Sequence, residues 1–358
     1  MNASFAAAGL DEAVPFALPL THRFRGIDMR VGMLLRVGDN WGEWAPFPEY
    51  DDVIATRWLR GGLEAARGEW PQGQGQGQGQ GQRQRQRHSI DVNAIVPALD
   101  PDTVTALVLA AVARDGCTTI KVKVGQQGQD FAQDVARVAA VRAALDDAGA
   151  PAGLIRVDVN GAWDLQSAAQ RLAILDDVAG GLEYAEQPCA TLAELARLRD
   201  LVRVPIAVDE AIRLSATPIA GSAVDAIRAA ADVLILKALP LGGVRPSLAI
   251  AAAIGLPVVV SGSLDSSVGL SAGLALAAAL PEAPLACGLG TGRLLAEDLT
   301  DKTSLPQDGR LSVVRTSPDQ IALARASQRV DLAQASWWSD RLTRCLALLA
   351  ADDLGDTR

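Results

Sequence analysis

Five short apolar runs in the middle of the chain each carry charge near one end: Lys121 and Lys123, Asp158 with Asn160, Glu186, Asp209 with Glu210, and Lys237. Strands covered on both faces read as apolar throughout, so these charges break the pattern. Lys121 and Lys123 stand two apart and share one side of a pleat. Asp158, Glu186 and Asp209 lie on three consecutive runs. Converging without a cation, they would repel one another and raise one another's pKa. A hard divalent ion relieves that repulsion. Mg²⁺ takes oxygen ligands and keeps positions open for water or substrate, and Mn²⁺ accepts the same donors. A metal flanked by Lys123 and Lys237 suits removal of a proton from a carbon beside a carboxylate, with the metal stabilising the enediolate as a Lewis acid. The base lysine must then be neutral although its reference pKa is about 10.4. Lys121, so close to Lys123, disfavours a second positive charge. Singly, a strand-end lysine or aspartate is usually a solvated loop position, and Asp158 or Asp209 alone would do as a helix cap. Five on five successive runs favour chemistry.

The elements that must position these residues recur along the chain. Apolar runs fall at 90–96, 119–124, 154–160, 182–187, 205–210, 233–238, 256–261 and 284–289. Between them lies helical periodicity, as in Phe131, Val135, Val138, Val141 and Leu145, spaced three and four apart. Eight strands alternating with helices predict an α/β fold, a TIM-like barrel whose active face lies at the C-terminal strand ends. A doubly wound sheet is the alternative, but no GxGxxG follows the first strand. In a ring of eight, strands two and six lie opposite, which sets Lys123 across from Lys237.

Composition narrows the chemistry. The 358 residues are 49% hydrophobic and 21% charged, with 33 Lys+Arg against 42 Asp+Glu for a net charge of −9. That balance argues against nucleic acid as the main partner. Only His22 and His88 exist, which excludes a zinc site built on several imidazoles. Four scattered cysteines without a CxxC pair read as reduced thiols of a cytoplasmic protein. The opening residues lack a secretory pattern, and no stretch of about 20 apolar residues spans a membrane.

Six of the seven tryptophans lie outside the middle: Trp41, Trp44, Trp58 and Trp70 early, Trp337 and Trp338 late. Early strand-like runs at 15–20, 29–37 and 41–46 precede a helix over 52–69, and the late tail is expected to pack back on this section. Residues 72–87 read QGQGQGQGQGQRQRQR, a composition that builds no core and predicts a flexible surface linker. Arg83, Arg85 and Arg87 lack interleaved aromatics, which disfavours an RNA-binding arm.

KVKVG (121–125), DVNGAW (158–163), EQP (186–188), VDE (208–210) and LKALPLGG (236–243) follow an order that resembles the enolase superfamily, in its muconate-lactonizing subgroup. WGEWAPFPEY (41–50) is similar to that family's capping domain. The resemblance implies a (β/α)₇β barrel over 90–304 and an α+β cap formed by 1–89 and the C-terminal segment 305–358. Residue by residue it implies Asp158, Glu186 and Asp209 as ligands to Mg²⁺, and Lys123 and Lys237 as the acid/base lysines. Asn160 and Glu210 then stand behind the ligands, with Lys121.

Within the subgroup, EQPC (186–189), SGSLDSSVGL (261–270) and the compact cap look most like the branch of lyases that dehydrates 2-succinyl-6-hydroxy-2,4-cyclohexadiene-1-carboxylate to 2-succinylbenzoate in menaquinone biosynthesis. This implies that Lys123 takes the α-proton and returns it to the departing hydroxyl, while Lys237 stays cationic. Ser261 and Ser263 are substrate-binding candidates. Ser263, Ser266 and Ser267 precede an apolar helix whose N-terminus suits an anion, although an ordinary N-cap explains them equally. GLGTG (288–292) suits an anion or a tight turn. THRFRG (21–26) matches a loop that covers the family's site, where Arg23 or Arg25 is a candidate for a substrate carboxylate and solvated surface charge is the alternative.

The same lysines and metal also serve racemases, dipeptide epimerases and muconate cycloisomerases. CGLGTGR (287–293) lacks the carboxylates that dipeptide epimerases usually carry after strand eight, while racemase activity stays open. A barrel without catalysis would have lost a ligand or a lysine, and none is missing. The expected protein acts on a small-molecule carboxylate with no nucleic-acid or membrane partner. A monomer is expected, with an oligomer left open.

Overall fold

The computed structural model describes residues 5–6, 8–71 and 87–355, with side chains to residue 352. All of the Gln/Gly/Arg tract except Arg87 lies outside these residues. Strands β1 (Glu12–Phe24), β2 (Ile27–Val37) and β3 (Asn40–Trp44) form an antiparallel sheet in that order. The pleat sends Met33 and Leu35 to the main core and Phe16, Leu18 and Leu34 to a second cluster with Val268, Leu295 and Leu299. Strand β1 runs through Phe24, so the expected THRFRG loop shrinks to a turn at Arg25 and Gly26, with φ of 49° and 79°. Two positive φ values are what a two-residue type I′ hairpin requires. Between Pro19 and Phe24 the register with β2 shifts, and Leu20 and Thr21 pair instead with the segment at Arg293–Leu295.

Helix α1 (Asp52–Ala66) starts on Asp51, whose side chain accepts from the Ile54 N–H, and lies across β3. Gly42 makes this approach possible, because a Cβ there would stand 1.9 Å from the Gly62 carbonyl oxygen. The C-terminal helix, labelled α11 below, spans Leu332–Gly355 and packs on α1. Trp338 meets Trp44 edge-to-face at 5.4 Å, and Arg344 pairs with Asp52 at 2.7 Å.

Seven parallel strands run in the order β5 (Ala94–Val96), β6 (Thr119–Lys123), β7 (Leu154–Asp158), β8 (Leu182–Glu186), β9 (Ile206–Val208), β10 (Val233–Leu236) and β11 (Val258–Val260). The expected first strand is divided, because β4 (Ser89–Asp91) pairs instead with β12 (Arg310–Ser312). The expected eighth strand is reduced to two isolated parallel bridges, Val92 with Cys287 and Ser261 with Gly288. Those bridges join the first strand to the seventh and close the ring.

Helices α2 (Pro101–Asp115), α3 (Phe131–Asp147), α4 (Leu165–Ala179) and α5 (Leu192–Arg199) follow the first four strands. The short α6 (Glu210–Arg213) and α7 (Gly221–Ala230) follow the fifth, α8 (Val244–Ile254) the sixth and α9 (Ser267–Ala279) the seventh. After the eighth only a 3₁₀ turn, Gly292–Leu294, comes before α10 (Gln320–Gln328), which lies against β1. The architecture is therefore (β/α)₇β with a cap.

Asp100, Asp130, Asp164 and Thr191 cap α2 to α5 from within the barrel. Helix α8 has no side-chain cap of its own, and Glu64 of α1 accepts from the Val244 and Arg245 N–H groups instead. Arg87 closes the other end of α9, donating to the carbonyls of Ala278, Leu280 and Pro281. Among the described residues no helix is long and apolar enough to cross a membrane.

Candidate active site

The polar strand ends meet inside the ring, above a small cluster of Tyr184, Ala207, Val233, Ile235 and Val259. Strands β6 and β10 are four apart in the ring, so Lys123 and Lys237 rise from opposite walls. Lys123 Nζ donates to Asp158 Oδ2 at 2.7 Å and to Asn160 Oδ1. Lys121 Nζ lies 3.1 Å from Asp158 Oδ2 and 3.0 Å from Glu186 Oε2. Lys237 Nζ donates to Asp209 Oδ2 at 2.6 Å. Lys123 and Lys237 are only 7% and 9% exposed, so the site is screened from bulk water.

Burial and neighbours divide the titrations. Burial lowers the pKa of Lys123 below the ordinary lysine value; Asp158 opposes this and Lys121 adds to it. Lys121 moves the other way: burial opposes charge, but Glu186 and Asp158 outweigh it and raise the pKa well above the usual value. The three carboxylates do not respond alike. Glu186 is pushed up to about 7 by burial, with Asp158 next and Asp209 further behind. Asp158 and Asp209 are held below the usual range despite burial, the first by Lys123 and Lys121, the second by Lys237 and Arg213. The expected mutual elevation is confined to Glu186 because the lysines neutralise the other two.

Two residues at these strand ends hold positive φ without being glycine, Asn160 at 53° and Gln187 at 43°. Such backbone is sparsely populated and clusters where side chains are aimed for function. Asn160 Nδ2 donates to Glu210 Oε1 at 3.1 Å, and Gln187 Oε1 accepts from the N–H groups of Asp209 and Ala211.

Among the described residues no group of three His, Cys, Asp or Glu is spaced to hold a metal ion. The reason is visible in the contacts: Lys121 stands between Asp158 and Glu186, and Lys237 and Arg213 take both oxygens of Asp209. The donor chemistry nevertheless suits a hard cation. Asp158 Oδ1 and Glu186 Oε1 are buried with no hydrogen-bond partner, and carboxylate oxygens are what Mg²⁺ or Mn²⁺ takes.

Other expected residues are occupied differently. The Arg25 guanidinium stacks 4.5 Å from the Phe47 ring centroid and reaches Tyr50 Oη at 3.5 Å, so it meets a substrate only by leaving those partners. Arg23 pairs with Asp28 at the surface. The helix N-terminus offered for an anion is filled from within: Glu43 accepts from Ser266 and Asp298 from Ser267. Ser263 gives its N–H to Asp265, while its hydroxyl stays uncommitted beside the nearly buried Ser261. A cavity of about 450 Å³ lies between α2, the end of β5 and the segment after strand eight, lined by His22, Val96, Leu107 and Arg293 but by none of Lys121, Lys123, Lys237, Asp158, Glu186 and Asp209.

Several residues escaped the sequence reading. Phe24 brings its ring to 5.7 Å from Lys123 Nζ. Arg213 Nε reaches Asp209 Oδ1 at 3.2 Å and one Nη reaches Glu210 Oε1 at 2.7 Å. Its signal was present, since a residue three and four positions past two carboxylates shares their helix face. Glu43, Tyr50 and Asp265 carried none, because their partners are distant in sequence.

Two family descriptions match the chain: Enolase C-terminal domain-like over residues 103–318, and Enolase N-terminal domain-like over residues 15–66. The chain is similar to o-succinylbenzoate synthase of Thermobifida fusca (strain YX), with 47% identity over 90% of this chain and 92% of that one. It is 46% identical to o-succinylbenzoate synthase of Mycobacterium leprae (strain TN), over 95% of this chain and 93% of the other. Among solved structures, muconate lactonizing enzyme from Pseudomonas fluorescens complexed with muconolactone matches at a TM-score of 0.71 and 23% identity, over 88% of this chain and 97% of that one. That last likeness speaks to the fold alone.

Proposed function

We propose that this chain, which belongs to the enolase superfamily and within it to the o-succinylbenzoate synthase family, removes water from 2-succinyl-6-hydroxy-2,4-cyclohexadiene-1-carboxylate to give 2-succinylbenzoate. The observation that carries the reading is a pair of buried lysines, Lys123 on Asp158 and Lys237 on Asp209, on opposite walls of one barrel. Lys123, destabilised as a cation chiefly by burial, takes the proton from the ring carbon that bears the carboxylate. The electron pair left behind delocalises into that carboxylate. The bond from the neighbouring ring carbon to its hydroxyl then breaks, its electrons leaving with oxygen. Lys123 returns the same proton, water departs and the ring becomes aromatic.

One lysine serving both events requires them on one face, hence syn elimination. Lys237, hydrogen-bonded to Asp209, faces the growing negative charge from the other wall. Asp158, Glu186 and Asp209 would hold a Mg²⁺ or Mn²⁺, which when bound supplies Lewis-acid stabilisation to the substrate carboxylate. Lys121, Asn160 and Glu210 fix the ligands and the base. Ser261 and Ser263, on the wall next to Lys237, would hydrogen-bond the substrate. The reading extends to a monomer in the reducing cytoplasm, where four buried free cysteines are at home, with neither nucleic acid nor membrane as partner.

The test is turnover of the cyclohexadiene substrate with Mg²⁺, with EDTA, and by Lys123→Ala. Metal-dependent aromatisation that Lys123→Ala slows by about 10²–10⁴-fold or more is the expected result. No conversion by the unaltered enzyme with Mg²⁺ sinks the assignment.

A further inference from the structure

Lys123 and Lys237 are joined by a hydrogen-bonded chain around the wall of the barrel. It runs from Lys123 to Asn160, from Asn160 to Glu210 at 3.1 Å, and from Glu210 to Arg213 at 2.7 Å. From Arg213 it continues to Asp209 at 3.2 Å and from Asp209 to Lys237 at 2.6 Å. Arg213 is the one member that binds two carboxylates, and its remaining Nη donates to Tyr50 Oη at 2.7 Å. Tyr50 belongs to the cap, where its ring packs edge-to-face on Trp58 at 5.8 Å and its carbonyl accepts from Arg341. A second cap residue grips the same segment: Arg57 of α1 donates to the carbonyls of Arg213 at 3.2 Å and Ser215 at 2.5 Å.

We propose that Arg213 is a positioning residue through which the cap sets the carboxylate wall of the site, with Tyr50 orienting the guanidinium and the guanidinium fixing Asp209 and Glu210. The planar fork matters. A guanidinium presents donors in fixed directions and can satisfy Asp209, Glu210 and Tyr50 together, whereas a lysine ammonium is a point charge on a flexible stem. Side-chain exposure of 6% at Arg213 leaves no room for water to replace a lost partner. The inference rests on the reading of Asp209 as a metal ligand, and it makes ligand geometry depend on a cap phenol that acts through Arg213.

The test is Mn²⁺ binding to the full chain without substrate, by calorimetry or by the paramagnetic resonance of free Mn²⁺. It compares the unaltered protein with Tyr50→Phe, Arg213→Lys, their combination and Asp209→Asn. Tyr50→Phe and Arg213→Lys preserve charge, so any loss reports orientation. Each is expected to weaken Mn²⁺ binding by about 10-fold or more, within the range usual for residues that orient ligands. The combination is expected to match Arg213→Lys alone to within about 2-fold, because Tyr50 acts through Arg213. Turnover should lose kcat with little change in KM. Unchanged affinity in Tyr50→Phe, or additive losses in the combination, overturns the proposal while Asp209→Asn still abolishes binding. If Asp209→Asn itself binds Mn²⁺ normally, the metal-site reading has failed and the proposal falls with it.

Discussion

Glu43 is the least comfortable carboxylate in the cap. It is buried at the tip of β3, one oxygen accepts from both the N–H and the hydroxyl of Ser266, and Oε1 has no partner. Burial first, and Asp265 next, push its pKa to about 7 from 4.5, against the pull of Arg30 and Ser266. The folded chain therefore holds this proton to higher pH than the unfolded chain does. The stability linked to this one proton is untouched below the unfolded value, falls as pH rises towards 7, and changes no further above it, at about 1.4 kcal/mol per unit of displacement. Glu43→Gln keeps an acceptor for Ser266 and removes the charge. Its urea stability should decline less than that of the unaltered protein between about pH 5 and pH 8, and equal declines would refute the assignment. Nothing in the sequence announced Glu43, because Ser266 and Asp265 are more than two hundred positions away. Asp158, Glu186, Asp209, Lys123 and Lys237 were legible for the opposite reason: each interrupts its own apolar run, and alternation along a strand needs no knowledge of distant neighbours.

At the scale of elements, the cap is docked by finishing what the barrel leaves open. Glu64 caps α8, Glu43 joins Ser266 at the start of α9, and Tyr50 and Arg57 hold α6 and its exit. Close approach of α1 makes this possible. A Cβ at Gly61 would stand 2.9 Å from the Leu239 carbonyl oxygen and 3.1 Å from the Gly243 nitrogen, both backbone atoms that cannot yield cheaply. Gly61→Ala gains about 1 kcal/mol of helix propensity but forces the interface apart at a cost of roughly 1–3 kcal/mol, so net destabilisation is expected. Gly221→Ala, at the start of α7 with open space around it, should instead be neutral or stabilise by up to about 1 kcal/mol. Denaturation midpoints that move the same way in both would contradict this account. The strands and helices of the barrel were readable from period and spacing. The hairpin tip at Arg25 and Gly26 was not, since the register of β1 on β2 shifts between Pro19 and Phe24 and Leu20 there pairs with Leu295, far away in sequence. The eighth strand was read as a run of six, but only Cys287 and Gly288 form bridges, with one further bond from the Leu285 N–H to Val258.

For the molecule as a whole, the tryptophans at the two ends of the sequence find their explanation in one contact. Trp44 of β3 and Trp338 of α11 share a core face, so early and late segments complete each other across the barrel between them. The ring closes in a similarly remote way. Strand one and strand eight meet through the Cys287 N–H on Asp91 and the Asn93 N–H on Cys287, and the Gly288 N–H on Val260 ties strand eight to strand seven. The first two of these join positions about 200 residues apart, and loop-closure entropy must be overcome before such contacts repay it. Pairing among β6, β7 and β8 links near neighbours and can precede closure. In pulse-labelled hydrogen exchange during refolding, the amides of Ile120, Val157 and Ala185 should gain protection before those of Asn93 and Cys287. The barrel would then assemble as an open, curling sheet that becomes a cylinder only in its last kinetic step.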